Sequence, residues 1–261
     1  MDFIEALILG IIQGLTEFLP VSSSGHLEIS KHLFGVDAYT SFSFSVAVHG
    51  ATVLSTIVVF WQEIGKIIRG TLQFKYNKET IYVLKILVSL VPVMIVGLFF
   101  RDMVESYFDG NIFFVGFMLL ATAALLLLSE VIKGSGREIS YLDAFIIGIA
   151  QALAVLPGIS RSGATISTGL MLGNNRNELA KFSFLMVLIP VIGANFIELI
   201  GGDFSNGNSV GIMPLLTGFI SAFITGYLAC RWMIAIVRRS NFLWFGIYCI
   251  LMGLLSILVF A

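Results

Sequence analysis

A polar cluster interrupts an apolar stretch near the start of the chain. The sequence PVSSSGH at residues 20–26 brings three serines and a histidine together directly after this stretch. Gln13 and Glu17 lie four residues apart just before it, so on a helix they share a face that points toward the cluster. A serine hydroxyl near a histidine and a carboxylate is a combination that activates a nucleophile by removing its proton. Glu17, Ser23 and His26 are therefore candidate catalytic residues.

A second polar cluster follows a second break in an apolar stretch. Residues 156–165 read LPGISRSGAT, and a helix that starts after this Pro-Gly break points its unpaired N–H groups and positive dipole end at the break. Such a helix start favours an anion, and the planar fork of Arg161 suits phosphate oxygens in particular. The candidate phosphate-binding residues are Ser22, Ser160, Arg161, Ser162 and Thr165.

The composition indicates whether these residues lie in water or in a membrane. Of the 261 residues, 57% are hydrophobic and only 12% are charged, and the mean hydropathy is +0.97. This composition is typical of a protein that crosses the membrane several times, here as a single polytopic domain over 1–261. The net charge of -1 and the absence of a basic block argue against nucleic acid as a partner. Six apolar stretches predict transmembrane helices at 42–60, 81–100, 112–132, 182–200, 212–233 and 242–260.

Two further apolar stretches, 3–34 and 141–172, are broken by Pro20 and by Pro157. Neither half of either stretch is long enough to cross a bilayer, so each predicts a re-entrant helix, break and helix. The predicted fold is an all-α integral membrane protein with six transmembrane helices and two re-entrant segments.

The two broken stretches also match each other in sequence. Residues 3–25 align with residues 141–163, and Gln13 pairs with Gln151 at a spacing of 138 residues. This match predicts an internal repeat, with a first copy over 1–133 and a second over 140–261. Each broken stretch is followed by three predicted spans, so the second copy enters the bilayer from the opposite side. An inverted repeat of this kind brings its two breaks together near the bilayer midplane.

Positive charges predict the orientation of the chain. Twelve of the fifteen Lys and Arg residues fall on one predicted side, which the positive-inside rule makes cytoplasmic. The other side keeps Lys31 and Arg101, and Arg161 lies in the second break. The mouth of the first broken stretch then faces the outside of the cell. The twelve residues are Lys66, Arg69, Lys75, Lys78, Lys85, Lys133, Arg137, Arg176, Lys181, Arg231, Arg238 and Arg239.

Both polar motifs resemble signatures of one enzyme family. QGLTEFLPVSSSGH and LPGISRSGAT are similar to the two signature motifs of the undecaprenyl-diphosphate phosphatase family, also called the bacitracin-resistance family. The resemblance implies that Gln13 and Glu17 form an acidic or amide pair able to hold Mg²⁺ or Ca²⁺, and that Ser23 and His26 are the catalytic hydroxyl and imidazole. It assigns the diphosphate to Ser160, Arg161 and Thr165, and His49 in FSVAVHG resembles a further family position, as an accessory residue or a buried polar contact.

The same resemblance implies a function. Members of this family hydrolyse a C55 polyprenyl diphosphate to the monophosphate and inorganic phosphate, which recycles the lipid carrier for cell-wall polymers and gives resistance to bacitracin. The implied partners are this lipid substrate and the membrane lipids around it. The implied location is the cell membrane, with the active site open to the extracytoplasmic side.

Several alternatives stay open from the sequence. Ser23 is the expected nucleophile with His26 as its base and Glu17 orienting His26 or holding the metal, but attack by His26 or by water also fits the residues. A flippase or secondary transporter would use a similar midplane anion site without breaking a bond. Small-residue faces at Gly116, Gly246 and Gly253 permit close helix packing, either within the chain or in a homodimer.

Overall fold

The computed structural model describes residues 1–35, 38–100, 103–104, 107, 111–132, 136–200, 211–239 and 242–260. Arg101 and Lys133, which entered the prediction of orientation, lie outside these residues. The described residues form helices joined by turns and irregular segments, with one isolated β-bridge between Arg137 and Asn174. The helices are α1 (Phe3–Phe18), α2 (Ser23–Phe34), α3 (Ala38–Val59), α4 (Trp61–Thr71), α5 (Lys78–Phe99), α6 (Ile112–Val131), α7 (Tyr141–Leu153), α8 (Arg161–Met171), α9 (Arg176–Met186), α10 (Leu188–Ile200), α11 (Ile212–Arg239) and α12 (Leu243–Val259). The predicted all-α class is confirmed.

Several of these helices suit a membrane. Among the described residues, α5, α6 and α11 are long and apolar enough to cross one, and α3 and α4 qualify together although the chain bends by 74° between them. The outer face of α5 exposes Leu87, Met94 and Leu98, a continuous apolar surface that water would disfavour. The chain is therefore a multi-pass membrane protein.

The predicted span over 182–200 differs from the structure. The chain forms two helices there, α9 and α10, which meet at Val187. Pro190 lies in the first turn of α10, where its missing N–H costs nothing. Within a continuous helix, the same proline would remove the bond to the carbonyl of Met186 and its ring would clash with that carbonyl. The last predicted span, 242–260, is the 17-residue helix α12.

Both broken stretches form a helix, a break and a second helix. α1 and α7 each begin with a capping box, made by Asp2 with Glu5 and by Ser140 with Asp143. After the breaks, Ser22 caps α2 and Ser160 caps α8, each by accepting a hydrogen bond from a backbone N–H three residues later.

Small residues let the helices around the breaks approach closely. Gly10 of α1 packs against Gly218 and Ser221 of α11, and Gly148 of α7 packs against the backbone of Ser89 in α5. A Cβ atom at either glycine would overlap these neighbours. The glycine faces named from the sequence also pack within the chain: Gly116 of α6 meets Gly253 of α12, and Gly246 of α12 meets Leu127 of α6.

The two breaks contact each other directly. Ser162 Oγ donates a hydrogen bond to the carbonyl of Leu19 at 3.3 Å, and a Cβ atom at Gly25 would lie 3.2 Å from the Cα of Gly158. Gly158 has a φ of +98°, a conformation that L side chains rarely adopt, and it lies against the backbone of Val115. The polar segments that are distant in sequence are therefore one site in space.

Candidate active site

Glu17 is the centre of the polar contacts between the two breaks. Its Oε2 accepts hydrogen bonds from Ser23 Oγ at 2.6 Å and from Gln13 Nε2 at 2.9 Å. Its Oε1 forms an ion pair with the Arg161 guanidinium. The Glu17 side chain is only 7% exposed, whereas that of Arg161 is 26% exposed, so the cation lies at the open side of the pair. A hydroxyl, a carboxylate and a guanidinium therefore meet at one point.

His26 lies close to this centre in sequence but bonds elsewhere. Its Nδ1 contacts the carbonyl of Ser22 at 2.8 Å, and its Nε2 contacts the hydroxyl of Tyr248 at 2.7 Å. Because a carbonyl only accepts, Nδ1 carries the hydrogen, and Nε2 of the neutral ring accepts from the tyrosine. The His26 and Tyr248 rings also stack, with centroids 5.5 Å apart.

The expected contact between His26 and Ser23 is therefore replaced by one between Glu17 and Ser23. Both ring nitrogens of His26 have other partners, and Ser23 Oγ donates to the carboxylate. Glu17 is likewise not the group that orients His26. The cause is the geometry of the break: Ser22 ends it with a φ of 71°, and this backbone conformation turns its carbonyl toward the His26 ring.

A small cleft, with a cavity volume of about 20 Å³, lies beside the ion pair. Glu17, Arg161 and Ser162 form its polar end, and Ser183 lies beside them. The remaining lining is largely apolar and comes from the end of α1, from α3 and from the two helices that meet at Val187. These residues are Phe18, Thr52, Val53, Thr56, Phe184, Val187, Leu188 and Val191.

Three of the predicted phosphate-binding residues lie behind the cleft. Ser22 and Ser160 are buried helix caps, and Ser160 Oγ also lies 3.3 Å from Ser162 Oγ. Thr165 Oγ1 donates to the carbonyl of Arg161 and lies 2.6 Å from Ser183 Oγ. Only Arg161 and Ser162 of the predicted set line the cleft itself. Ser160 and Thr165 bond the backbone of the segment that carries them, whereas Ser22 caps α2.

Gln13 and Glu17 were the predicted metal-binding pair. Gln13 is fully buried, and its Oε1 has no hydrogen-bond partner among the described residues. This leaves one free amide oxygen next to a carboxylate, which are oxygen ligands of the kind that Mg²⁺ and Ca²⁺ prefer. No group of three or more His, Cys, Asp or Glu residues occurs in the described part of the chain. Gln13 and Glu17 would supply at most two such oxygens, so a cation there would have to take its other ligands from the substrate and from water.

His49 lies on α3, one turn before Thr52. Its Nδ1 contacts the carbonyl of Ser45 at 2.8 Å, and the side chain is half-buried. Thr52 and Thr56 share its helix face and line the cleft. The accessory position predicted for His49 therefore lies next to the cleft lining.

Sequence reasoning missed several polar contributors. Thr122 of α6 accepts from the backbone N–H of Ser160 at 2.9 Å and donates to the carbonyl of Gly158, which fixes the second break. Thr52 and Thr56 are polar residues four apart on an apolar span, and this spacing is a signal that could have marked them. Tyr248 has no comparable signal, because it is 222 residues from its partner His26.

The sequence matches a known protein family over most of its length. Residues 6–255 match the family described as bacitracin resistance protein BacA. The chain belongs to this family. Two curated BacA relatives, from Bacteroides fragilis and Christiangramia forsetii, are each 52% identical to this chain. Both alignments cover 99% of this chain and 98% of the relative, and both relatives are named undecaprenyl-diphosphatase.

More distant BacA relatives carry the same name. A protein from Methanococcus vannielii is 41% identical over 257 residues, covers 97% of this chain and 98% of the relative, and is also named undecaprenyl-diphosphatase. The family assigned from the two motifs is thus confirmed along the full chain.

Proposed function

We propose that this protein hydrolyses undecaprenyl diphosphate to undecaprenyl phosphate and inorganic phosphate. The observation that carries the proposal is the 2.6 Å hydrogen bond from Ser23 Oγ to Glu17, whose other oxygen pairs with Arg161. A transport site needs a positively charged group to bind its anion. It does not need a hydroxyl group that is hydrogen-bonded to a general base. The reaction recycles the lipid carrier of cell-wall polymers and explains the link of this family with bacitracin.

The cleft suits both ends of this substrate. A diphosphate needs cationic and hydrogen-bonding groups, which Arg161 and Ser162 supply at one end. A prenyl chain needs apolar walls, which Val53, Val187 and Val191 supply further along. Val187, at the break between α9 and α10, contributes to this wall, and Ser183, one turn earlier in α9, lies near the polar end.

Ser23 is the proposed nucleophile and Glu17 its base. The Ser23 oxygen attacks the terminal phosphorus, its proton passes to Glu17, and the bond from that phosphorus to the bridging oxygen breaks. Undecaprenyl phosphate leaves, and water then hydrolyses the phosphoserine to release inorganic phosphate and restore Ser23. The diphosphate competes with Glu17 for Arg161, so substrate binding frees the carboxylate to accept the proton. Arg161 stabilises the charge that develops on the transferred group.

His26 contributes through its second ring nitrogen. With Nδ1 committed to the Ser22 carbonyl, Nε2 is the atom that can accept or return a proton, and Tyr248 holds it in a fixed direction. This geometry favours a role in activating the water of the second step, because Glu17 already serves Ser23.

A divalent cation is part of the proposal. Glu17 and the free Oε1 of Gln13 would hold Mg²⁺ or Ca²⁺ together with oxygens of the diphosphate. When bound, the cation would neutralise part of the charge on the diphosphate.

The site is proposed to lie near the midplane of the cell membrane and to open outward. The two capping boxes, the two capped breaks and the matching positions of Gly10 and Gly148 support an inverted repeat with six spans and two re-entrant segments. Cys230 and Cys249 are buried, so introduced cysteines report the topology. A cysteine at Gly211 should react with an impermeant maleimide on intact cells, and one at Lys75 should not. The reverse pattern would overturn the outward orientation.

Phosphate release by the purified protein in detergent tests the chemistry. No sealed compartment exists in detergent, so a pure flippase gives no signal there. We expect release from C55 diphosphate by the wild-type protein and almost none from Ser23→Ala. Ser256→Ala is the matched control, since this buried hydroxyl donates to the carbonyl of Met252 in its own helix and bonds no other residue that the structure describes. Equal activity of Ser23→Ala and Ser256→Ala would exclude Ser23 as the nucleophile, and the absence of any release by the wild-type protein would exclude the hydrolase.

A further inference from the structure

Helix α4 points in a different direction from α3, the membrane span that precedes it. The chain bends by 74° between the described part of α3 and α4. A helix that crosses a bilayer runs roughly along the bilayer normal, so a bend of this size turns α4 close to the plane of the membrane. α4 has 11 residues and is strongly amphipathic in sequence, as helices that lie in the membrane interface are.

One side of α4 exposes large apolar side chains. Ile68 lies seven residues after Trp61, and Leu72 lies eleven residues after it. This spacing places the three side chains on one stripe. Trp61 is 68% exposed, and the following turn exposes Phe74 to 91%. The stripe is separate from the inner face of the helix, where Ile64 and Ile67 pack against the protein core.

This stripe continues a surface that already faces lipid. Leu54 and Val58 are exposed on α3, and the exposed Trp61 is the first residue of α4, directly after the bend. An apolar surface that starts on a membrane span and turns at its end follows the boundary of the bilayer. Lipid is therefore a better occupant for the stripe than a separate protein.

Basic residues border the stripe. The segment 61–78 contains Lys66, Arg69, Lys75 and Lys78, and all four are exposed. Its one acidic residue, Glu63, is paired with Lys181 at 2.9 Å. Exposed cations next to an apolar stripe complement a lipid whose headgroup carries a negative charge.

We propose that α4 and the turn after it form a binding surface for anionic lipids. Trp61, Ile68, Leu72 and Phe74 insert among the acyl chains near the headgroups. Lys66, Arg69, Lys75 and Lys78 contact the phosphate groups of the surrounding lipids. The surface shares no residue with the cleft, so the proposal does not depend on the chemistry proposed above.

Tryptophan fluorescence in nanodiscs tests this surface on the full-length protein. The chain has three tryptophans, and Trp232→Phe with Trp244→Phe leaves Trp61 as the reporter. The nanodiscs contain phosphatidylcholine and phosphatidylglycerol in equal amounts, with bromine on the acyl chains of one lipid at a time. We expect shallow bromine to quench Trp61 more than deep bromine. We also expect brominated phosphatidylglycerol to quench at least about twofold more than brominated phosphatidylcholine.

A matched pair of charge variants separates local binding from net charge. Lys66→Gln with Arg69→Gln should lower the ratio of the two quenching values toward one. Lys31→Gln with Arg231→Gln removes the same number of positive charges elsewhere and should leave the ratio unchanged. Equal quenching by the two lipids in the parent protein would overturn the headgroup preference. Stronger quenching by deep bromine, or no quenching by any lipid, would overturn the interfacial position and indicate a span or a protein partner.

Discussion

Replacing Glu17 by glutamine tests whether this carboxylate is the base for Ser23. Glutamine keeps the size of the side chain and can still accept a hydrogen bond from Arg161 through its oxygen. Its NH₂ group would face Ser23 Oγ and Gln13 Nε2, and it cannot take a proton from the serine. The change therefore removes the base without removing the side chain from the site.

The expected loss is large in turnover and small in substrate binding. A positioned general base contributes about 10² to 10⁴ in rate, which is about 3 to 5 kcal/mol of transition-state stabilisation. Arg161 loses its ion pair in this variant and becomes free for the diphosphate, so KM should stay level or fall. In the variant, the new NH₂ group and Gln13 Nε2 are two donors that face each other. This mismatch should lower the free energy of unfolding by about 1 to 3 kcal/mol. Steady-state phosphate release and thermal unfolding in the same detergent measure both effects.

Glu28→Gln is the matched control for this experiment. Glu28 lies on α2 and pairs with Lys31 at 3.2 Å, so the control removes the same charge from another ion pair. It should retain kcat within about twofold, because Glu28 pairs with Lys31 and does not line the cleft. A Glu17→Gln variant that keeps wild-type kcat would refute the assignment of the base. A variant whose activity falls only with its folded fraction would show that Glu17 holds the two breaks together and nothing more.

Four further substitutions probe the same centre. Arg161→Lys keeps the charge but loses the planar fork, so kcat/KM should fall at least about tenfold while the protein stays folded, and full activity would remove Arg161 as the phosphate clamp. Ser23→Ala and His26→Ala should each lower phosphate release by orders of magnitude. The double variant should be little worse than Ser23→Ala, because His26 acts on the phosphoserine that Ser23 forms; losses that multiply would mean that His26 acts on a route that does not pass through Ser23. Tyr248→Phe keeps the stacked ring but leaves His26 Nε2 without its hydroxyl partner. We expect kcat to fall about 3- to 30-fold, with little change in the unfolding temperature. An unchanged kcat would show that this hydrogen bond does not position His26.

Local signals in the sequence predicted much of the fold. The two breaks were visible because proline and glycine end helices in any environment, and the helices around them begin at the polar caps that the serines provide. The spans represented by α5, α6 and α11 were predicted from length and apolar composition. The Pro190 break was missed, because a proline within a long apolar stretch leaves hydropathy unchanged. In α5, Pro92 lies inside a continuous helix, so the presence of a proline does not by itself show that a helix is broken.

The site could be predicted as a set of residues but not as a set of contacts. Residue types and motif spacing identified Glu17, Ser23 and Arg161, which meet in the structure. The partner of each group depends on where the backbone turns, and one positive φ at Ser22 directs a carbonyl to His26. The Tyr248 contact depends on how α12 packs, which no local pattern reveals.

The pairing of Glu17 with Arg161 has a consequence for how such a chain arises. In the aligned repeat, Arg161 corresponds to Ser23 and Ala164 to His26, so the two halves carry different chemical groups at the same positions. Two identical copies could not carry serine in one half and arginine in the other at this position. On the proposed repeat, the first half supplies the group that attacks phosphorus and the second supplies the charge that holds it. Neither half alone would then supply both groups.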